Sequence, residues 1–145
     1  MRTPRFTCTA QRTAHNELDF RGRPDRDGRV AAGEPVDPAA GPLGATRATS
    51  LTDLPRACEA LRALGYAAEV SDDPGRYLCN ALYFQALGLA AEHGTRALFL
   101  HVPPFEAEGR FGAAAQLAFL RDCARCLLDL SCAATSDPGC GVEPE

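Results

Sequence analysis

From residue 51 onward the chain alternates between helical and strand periodicity, and that alternation restricts the folds open to it more than any other feature. Leu54, Cys58, Leu61 and Leu64 recur at helical spacing. Thr52 or Asp53 can cap the start, Pro55 suits a first turn and Gly65 can end the helix. Tyr66 to Ser71 reads as a short buried strand and Asp72 to Gly75 as a turn. Residues 76–92 read as a second helix, apolar on most sides and so expected to be buried. Ala97 to Val102 is a near-continuous apolar run, the pattern of a strand covered on both faces, and Pro103-Pro104 stops it. Residues 111–131 predict a third helix, with Leu117, Leu120, Ala124 and Leu127 on one stripe and Arg121, Arg125 and Asp129 on another. Helix, strand, helix, strand, helix predicts an α/β fold: a mostly parallel sheet with helices on both faces.

The first third reads differently. Residues 5–15 are strand-compatible, with Phe6, Cys8 and Ala10 alternating with polar neighbours. Residues 16–50 carry dense turn chemistry, in Arg21–Gly28, Glu34–Pro38 and Gly41–Gly44, and predict a long surface excursion. Residues 133–145 predict a flexible tail. The 145 residues suffice for one domain with one hydrophobic core, needing no metal or disulfide to hold it.

Charge and composition exclude several functions. The net charge of −4 argues against a nucleic-acid partner, which requires a basic face. All 15 cations are Arg, a coding bias rather than a functional signal. No apolar run reaches the ~18–20 residues of a membrane span, and Met1 to Cys8 has no apolar signal-peptide core, so a cytoplasmic setting is the expectation. Seven cysteines at irregular spacing predict reduced thiols rather than a disulfide framework.

Two residues stand out by position. Cys79 falls in the first turn of the helix after strand 66–71, and His101 falls near the end of the next strand. If those strands are neighbours in a right-handed βαβ unit, both residues face the carboxyl edge where open α/β folds bind ligands. A helix N-terminus favours a thiolate, and its backbone N–H groups can hold an oxyanion. A nearby imidazole can take the thiol proton and deliver it to a leaving amine. The structural alternatives are a core thiol and a hydrogen-bonded strand histidine.

The segment Glu69-Val-Ser-Asp-Asp-Pro-Gly-Arg-Tyr-Leu-Cys-Asn80 resembles the nucleophile region of the pyroglutamyl peptidase I (pyrrolidone-carboxylate peptidase) family, with Pro74 where Ala is usual. Phe99-Leu-His-Val-Pro103 resembles that family's histidine segment. Gln11-Arg-Thr-Ala-His-Asn16, with Asp19-Phe-Arg21 and Pro24-Asp25, resembles a third motif, and Thr52-Asp-Leu-Pro55 also fits. The resemblance runs from about Thr9 to the last helix. It implies a three-layer α/β/α, phosphorylase/hydrolase-like fold. It also implies a cysteine-type omega peptidase that removes an N-terminal pyroglutamyl residue from peptides through a thioacyl-enzyme. Cys79 would be the nucleophile, His101 the general acid/base, and Arg21 and Asn80 the oxyanion or substrate contacts. No cofactor or metal is implied, the partner is a pyroglutamyl peptide, and a homo-oligomer is compatible.

Two departures matter. The family's third catalytic residue is Glu, and Gln11 stands at the matching position; its neutral carbonyl can still accept an imidazole N–H, as amides do in papain-like peptidases. Glu17 or Asp19 are the alternative orienters. The family's leading strand and Gly-Phe-x-Pro-Phe loop have no match, so the expectation is a fold incomplete at its N-terminus, with Met1 a late start or the gene a remnant. The competing reading is therefore a catalytically inactive or truncated homologue acting at most as a binding protein. A more distant one is a metal or redox module on Cys123-Ala-Arg-Cys126, which lacks a second ligand pair at zinc spacing. His93 is expected at a helix C-terminus, and His15 is a local oddity of the third motif.

Overall fold

A computed structural model describes residues 7–51, 53–103 and 112–134, with backbone only over 127–134. The chain divides into two compact units, one comprising residues 1–7, 53–68 and 103–145, the other residues 8–52 and 69–102. Among the described residues no helix is long and apolar enough to cross a membrane.

The second unit holds most of the strands. β1 (Thr7–Gln11) is followed by β2 (Thr13–His15), β3 (Leu18–Asp19), β4 (Ala32–Glu34) and β5 (Thr46–Ala48). After the first helix of the chain come β6 (Ala67–Ser71), the helix over Leu78–Glu92, and β7 (Phe99–His101). A three-stranded sheet has the order β6-β1-β7. Thr9 bonds Glu69 and Arg12 bonds Asp72 at one constant offset, so β6 runs parallel to β1. β7 runs antiparallel to β1, with Thr9 opposite His101, Ala10 opposite Leu100 and Gln11 opposite Phe99. The α/β class is as expected, with a mixed sheet. The expected adjacency of the strands before and after the second helix is not what forms: β1 lies between β6 and β7, and because β7 runs opposite to β6 its final residue His101 sits beside Thr9 rather than at the shared carboxyl edge the sequence predicts. Neither flanking strand is buried as the sequence predicts. Glu69 of β6 is exposed and β7 is half-buried throughout, as befits strands at the two edges of this sheet.

Residues 16–50 depart from the predicted excursion, because they pair locally. β2 pairs with β5 and β3 with β4, both antiparallel, and Pro38–Ala40 forms a single 3-10 turn. The organiser is Asn16, fully buried. Its Nδ2 donates to the carbonyls of Asp37 and Gly41 at 2.9 Å each, and its Oδ1 accepts from the Asp37 amide at 2.9 Å. One short polar side chain thus supplies the backbone partners that loop residues otherwise take from water.

The first unit carries α1 (Leu54–Ala63) and α3 (Ala113–Ala134); α2 is the Leu78–Glu92 helix of the second. α1 starts at Asp53 with Pro55 in its first turn, as predicted, but the Asp53 side chain makes no capping bond. Gly65 follows the end of α1 with φ +93°, a conformation that favours Gly. Leu64 is exposed and Ala57 takes its place in the buried stripe, which is Leu54, Ala57, Cys58 and Leu61. α3 also turns a different face inward: Phe119 and Cys123 are buried, while Leu117 and Leu120 are exposed at 70% and 52%. The ring of Phe119 meets Tyr66 edge-on at 5.1 Å, and the Tyr66 hydroxyl donates to Asp122 at 2.7 Å. An aromatic pair with a charge-assisted bond outweighs a leucine stripe. The side chains of Leu127 and Asp129, and residues 135–145, lie outside the described residues, as does Pro104.

Burial and then the bond to Asp122 push the Tyr66 hydroxyl up to about 12, and the same bond holds the Asp122 carboxyl below its ordinary range. Tyr66 therefore keeps its proton in the native state at pH values where the unfolded chain has lost it. Its stabilisation is full below the ordinary tyrosine value of 10.0 and is lost as pH rises toward about 12. Tyr66→Phe is expected to flatten that alkaline limb, read from urea midpoints between pH 8 and pH 11.5; an unchanged limb would show that the phenol contributes nothing to it.

Candidate active site

Every residue of the predicted site lies in the second unit. α2 opens after a loop that is strongly braced. The Asp73 amide donates to Ser71 Oγ at 3.1 Å, and Asp73 Oδ1 accepts from the Gly75 amide at 3.0 Å and from Arg76 at 2.9 Å. These bonds, the Gly75 amide first and then Arg76, hold the Asp73 carboxyl below its ordinary range. Arg76 Nε reaches Glu17 at 3.0 Å, and the Arg76 carbonyl accepts from the Asp19 amide at 2.9 Å. The loop before the nucleophile position is thereby fastened to β3 and the residue preceding it.

Cys79 occupies the first turn of α2 and is half-buried. The first bond at this end of α2 runs from the Ala81 amide to Tyr77, so the amides of Leu78, Cys79 and Asn80 belong to the set a helix leaves without intrahelical acceptors. A cavity of about 530 Å³ opens beside the thiol. Its walls are Leu18, Val36, Leu78, Leu82 and Phe99, almost wholly apolar, with the Gln85 amide as the polar exception. α2 was expected to be buried, yet Leu78 and Leu82 are exposed at 48% and 64%; the cavity they line accounts for this.

His101 ends β7, half-buried, and its ring lies edge-on to Phe99 at 5.0 Å. Phe99 is thus the shared neighbour of the imidazole and of the cavity beside Cys79. Gln11 ends β1 at 4% exposure. Register puts Gln11 opposite Phe99 and Thr9 opposite His101, so Gln11 and His101 are diagonal neighbours on one face of the sheet. Its side-chain oxygen Oε1 is buried and has no hydrogen-bond partner among the described residues. A buried acceptor left unpaired costs roughly 1–3 kcal/mol, so this oxygen is open to a donor.

Asn80 is fully buried and wholly engaged with backbone. Its Oδ1 accepts from the His15 amide at 2.8 Å, and its Nδ2 donates to the carbonyls of His15 at 2.9 Å and Glu17 at 2.8 Å. The sequence assigned it toward oxyanion or substrate; its contacts are those of a brace. These bonds engage the backbone of His15. Arg21 sits in a turn with φ +49°, its amide donating to Asp19 Oδ1 at 2.8 Å and its side chain exposed. Arg76 engages Glu17 Oε2 and the Arg21 amide engages Asp19 Oδ1, while Gln11 shares the His101 face of the sheet. His93 caps the C-terminus of α2 as predicted, its amide bonded to Leu89. Cys123 and Cys126 lie on α3, and among the described residues no group of three His, Cys, Asp or Glu side chains is placed to hold a metal.

The residues that sequence reading missed are Leu18, Val36, Phe99 and Tyr83. The first two lie in the stretch read as a surface loop. Phe99 was quoted only as flanking sequence of His101, though its placement two residues before the histidine puts both on one strand face.

Comparison with known proteins adds a second line of support. The family model described as pyroglutamyl peptidase matches residues 2–108. Pyrrolidone-carboxylate peptidase of Streptococcus suis is 35% identical over 101 residues, and that of Mycobacterium tuberculosis 39% over 103. Each alignment covers 68% of this chain and 45% of the relative, so the chain matches less than half the length of these relatives. Among solved structures, pyrrolidone carboxyl peptidase from Thermococcus litoralis superposes with a TM-score of 0.71 at 24% identity, covering 99% of this chain and 68% of that one. The enzyme from Pyrococcus furiosus gives 0.70 at 22%, covering 86% and 64%. At such identities these structures speak to the fold.

If Asn80 is the brace its contacts describe, Asn80→Ala strips two carbonyls and one amide of their partners and is expected to cost about 2–4 kcal/mol of stability. Chemical denaturation measures this, and a loss below about 0.5 kcal/mol would refute the bracing role.

Proposed function

The chain belongs to the pyroglutamyl peptidase family, and from that premise we propose that it is a cysteine peptidase releasing an N-terminal pyroglutamyl residue from peptides. The observation that carries the reading is the apolar cavity beside Cys79, one wall of which, Phe99, also touches His101. A pyroglutamyl residue has no charged α-ammonium group; its lactam can enter an apolar pocket without the penalty that burying an unpaired charge imposes. Ordinary peptide N-termini pay that penalty and are rejected.

In this mechanism Cys79 Sγ attacks the carbonyl carbon between the pyroglutamyl ring and the next residue. The thiol proton passes to His101, and the amides at the start of α2 receive the developing oxyanion. The C–N bond breaks as His101 returns the proton to the departing amine, leaving a thioacyl-enzyme. Water, deprotonated by His101, then splits the C–S bond and regenerates the thiol. During the reaction Gln11 Oε1, unpartnered among the described residues, accepts the imidazole N–H; being neutral, it orients the imidazolium without offsetting its charge. Arg21 is the residue we assign to substrate stabilisation, on the strength of its motif. The chemistry uses side chains, backbone amides and water. It requires a reduced thiol, which fits a cytoplasmic setting.

The purified chain is expected to hydrolyse a fluorogenic pyroglutamyl amide, with Cys79→Ala lowering turnover at least 10³-fold, on the scale seen when a covalent nucleophile is removed. Folded protein without turnover would overturn the reading in favour of an inactive homologue. Gln11→Glu supplies the missing charge and is expected to raise kcat; an equal or lower kcat in a stable variant would remove Gln11 from the site.

A further inference from the structure

We propose that Tyr83 is a positioning residue that couples the nucleophile helix to Gln11; this rests on the peptidase reading and extends it. Tyr83 lies four residues after Cys79, so both project from one face of α2. It is 1% exposed, among the largest fully buried side chains. Its hydroxyl donates to the Gln11 backbone carbonyl at 2.8 Å, across 72 residues of sequence. Its ring packs against Phe99 at 5.8 Å, and Phe99 in turn meets His101.

Gln11 needs such a hold. It is the last residue of β1, where the chain leaves the β7 ladder: Gln11 pairs with Phe99, and beyond it Arg12 turns its amide to Ser71. A strand end loses the cross-strand restraint on one side, and the Gln11 side chain has no hydrogen bond of its own on Oε1 to fix it. The Tyr83 bond restrains the backbone from which that oxygen projects. It ties the restraint to the helix that carries the thiol. A shift of α2 and a shift of the orienting amide then become one motion, and the thiol, imidazole and amide keep a single register. Tyr83 touches neither substrate nor reacting atoms; it acts through Gln11.

A double-mutant cycle in kcat separates this from plain core packing. Tyr83→Phe retains the ring and its contacts and removes only the hydroxyl. In the otherwise unaltered chain it is expected to lower kcat about 5–20-fold with KM within twofold, the chain remaining folded by circular dichroism. In a Gln11→Ala background the same change is expected to alter kcat less than twofold, since the group it positions is gone. Equal losses in both backgrounds, or no loss in the first, would overturn the proposal. Absence of turnover in the unsubstituted chain would instead overturn the peptidase reading, and the two failures are thereby distinct. Should Gln11→Ala fold poorly, Gln11→Leu fills the same space and completes the cycle.

Discussion

The start of α2 is held by buried hydrogen bonds to backbone, and the rest of the site depends on this. Asn80 engages His15 and Glu17, and Tyr83 engages Gln11, so the two turns that include Cys79 are fastened to a single stretch of chain, residues 11–17. Each bond satisfies groups that would otherwise be orphaned in the interior, and an orphaned group costs more than a formed bond gains. The arrangement is therefore specific: a helix sliding by one turn would strand every partner at once. The same stretch carries Gln11 at one end and the Glu17 partner of Arg76 at the other, so the loop before α2, the helix itself and Gln11 share one anchor.

The polar interior explains how a stretch rich in turn residues becomes part of a pocket. Leu18 and Val36 reach the cavity because β3 and β4 pair and because Asn16 fixes Asp37 and Gly41. Phe20, 2% exposed, meets Tyr77 edge-on at 4.8 Å, next to the first residue of α2. Turn chemistry in sequence signals where the backbone reverses, but not whether the reversals close on each other. Two asparagines with amides matched to backbone decide that here, and a buried Asn looks in sequence like any loop Asn.

This divides what was legible from what was not. Helix positions, the Gly65 stop and the placement of Cys79 in a first turn follow from local spacing, and all appear. Strand neighbours do not follow from spacing, since a ladder is a long-range contact. The chain order β6, α2, β7 suggested adjacency, whereas β1 is the partner of both. Helix faces were misjudged where aromatic contacts compete with aliphatic stripes, as when Phe119 and Asp122 meet Tyr66 and leave Leu117 and Leu120 outward. Of the proposed site, Cys79, His101 and Gln11 carried a motif. Phe99 and Tyr83 are brought to it by contact, and contact has no signature in a single sequence.

The substitution of amide for carboxylate at Gln11 has a physical logic in these surroundings. A carboxylate at 4% exposure would have to be desolvated, at a cost of several kcal/mol unless it is paired. Arg12, the next residue, is committed to Asp72, and Arg76 to Glu17 and Asp73. A neutral amide avoids that cost and keeps one acceptor for an imidazole N–H. In the proposed mechanism what it gives up is stabilisation of the imidazolium, and the amides at the start of α2 carry the transition-state charge. Those amides are fixed in place by Asn80, whose three bonds hold the first turn whatever the ionisation of its neighbours. A neutral orienter is thus accompanied, in the proposed mechanism, by an oxyanion end whose first turn Asn80 anchors to backbone.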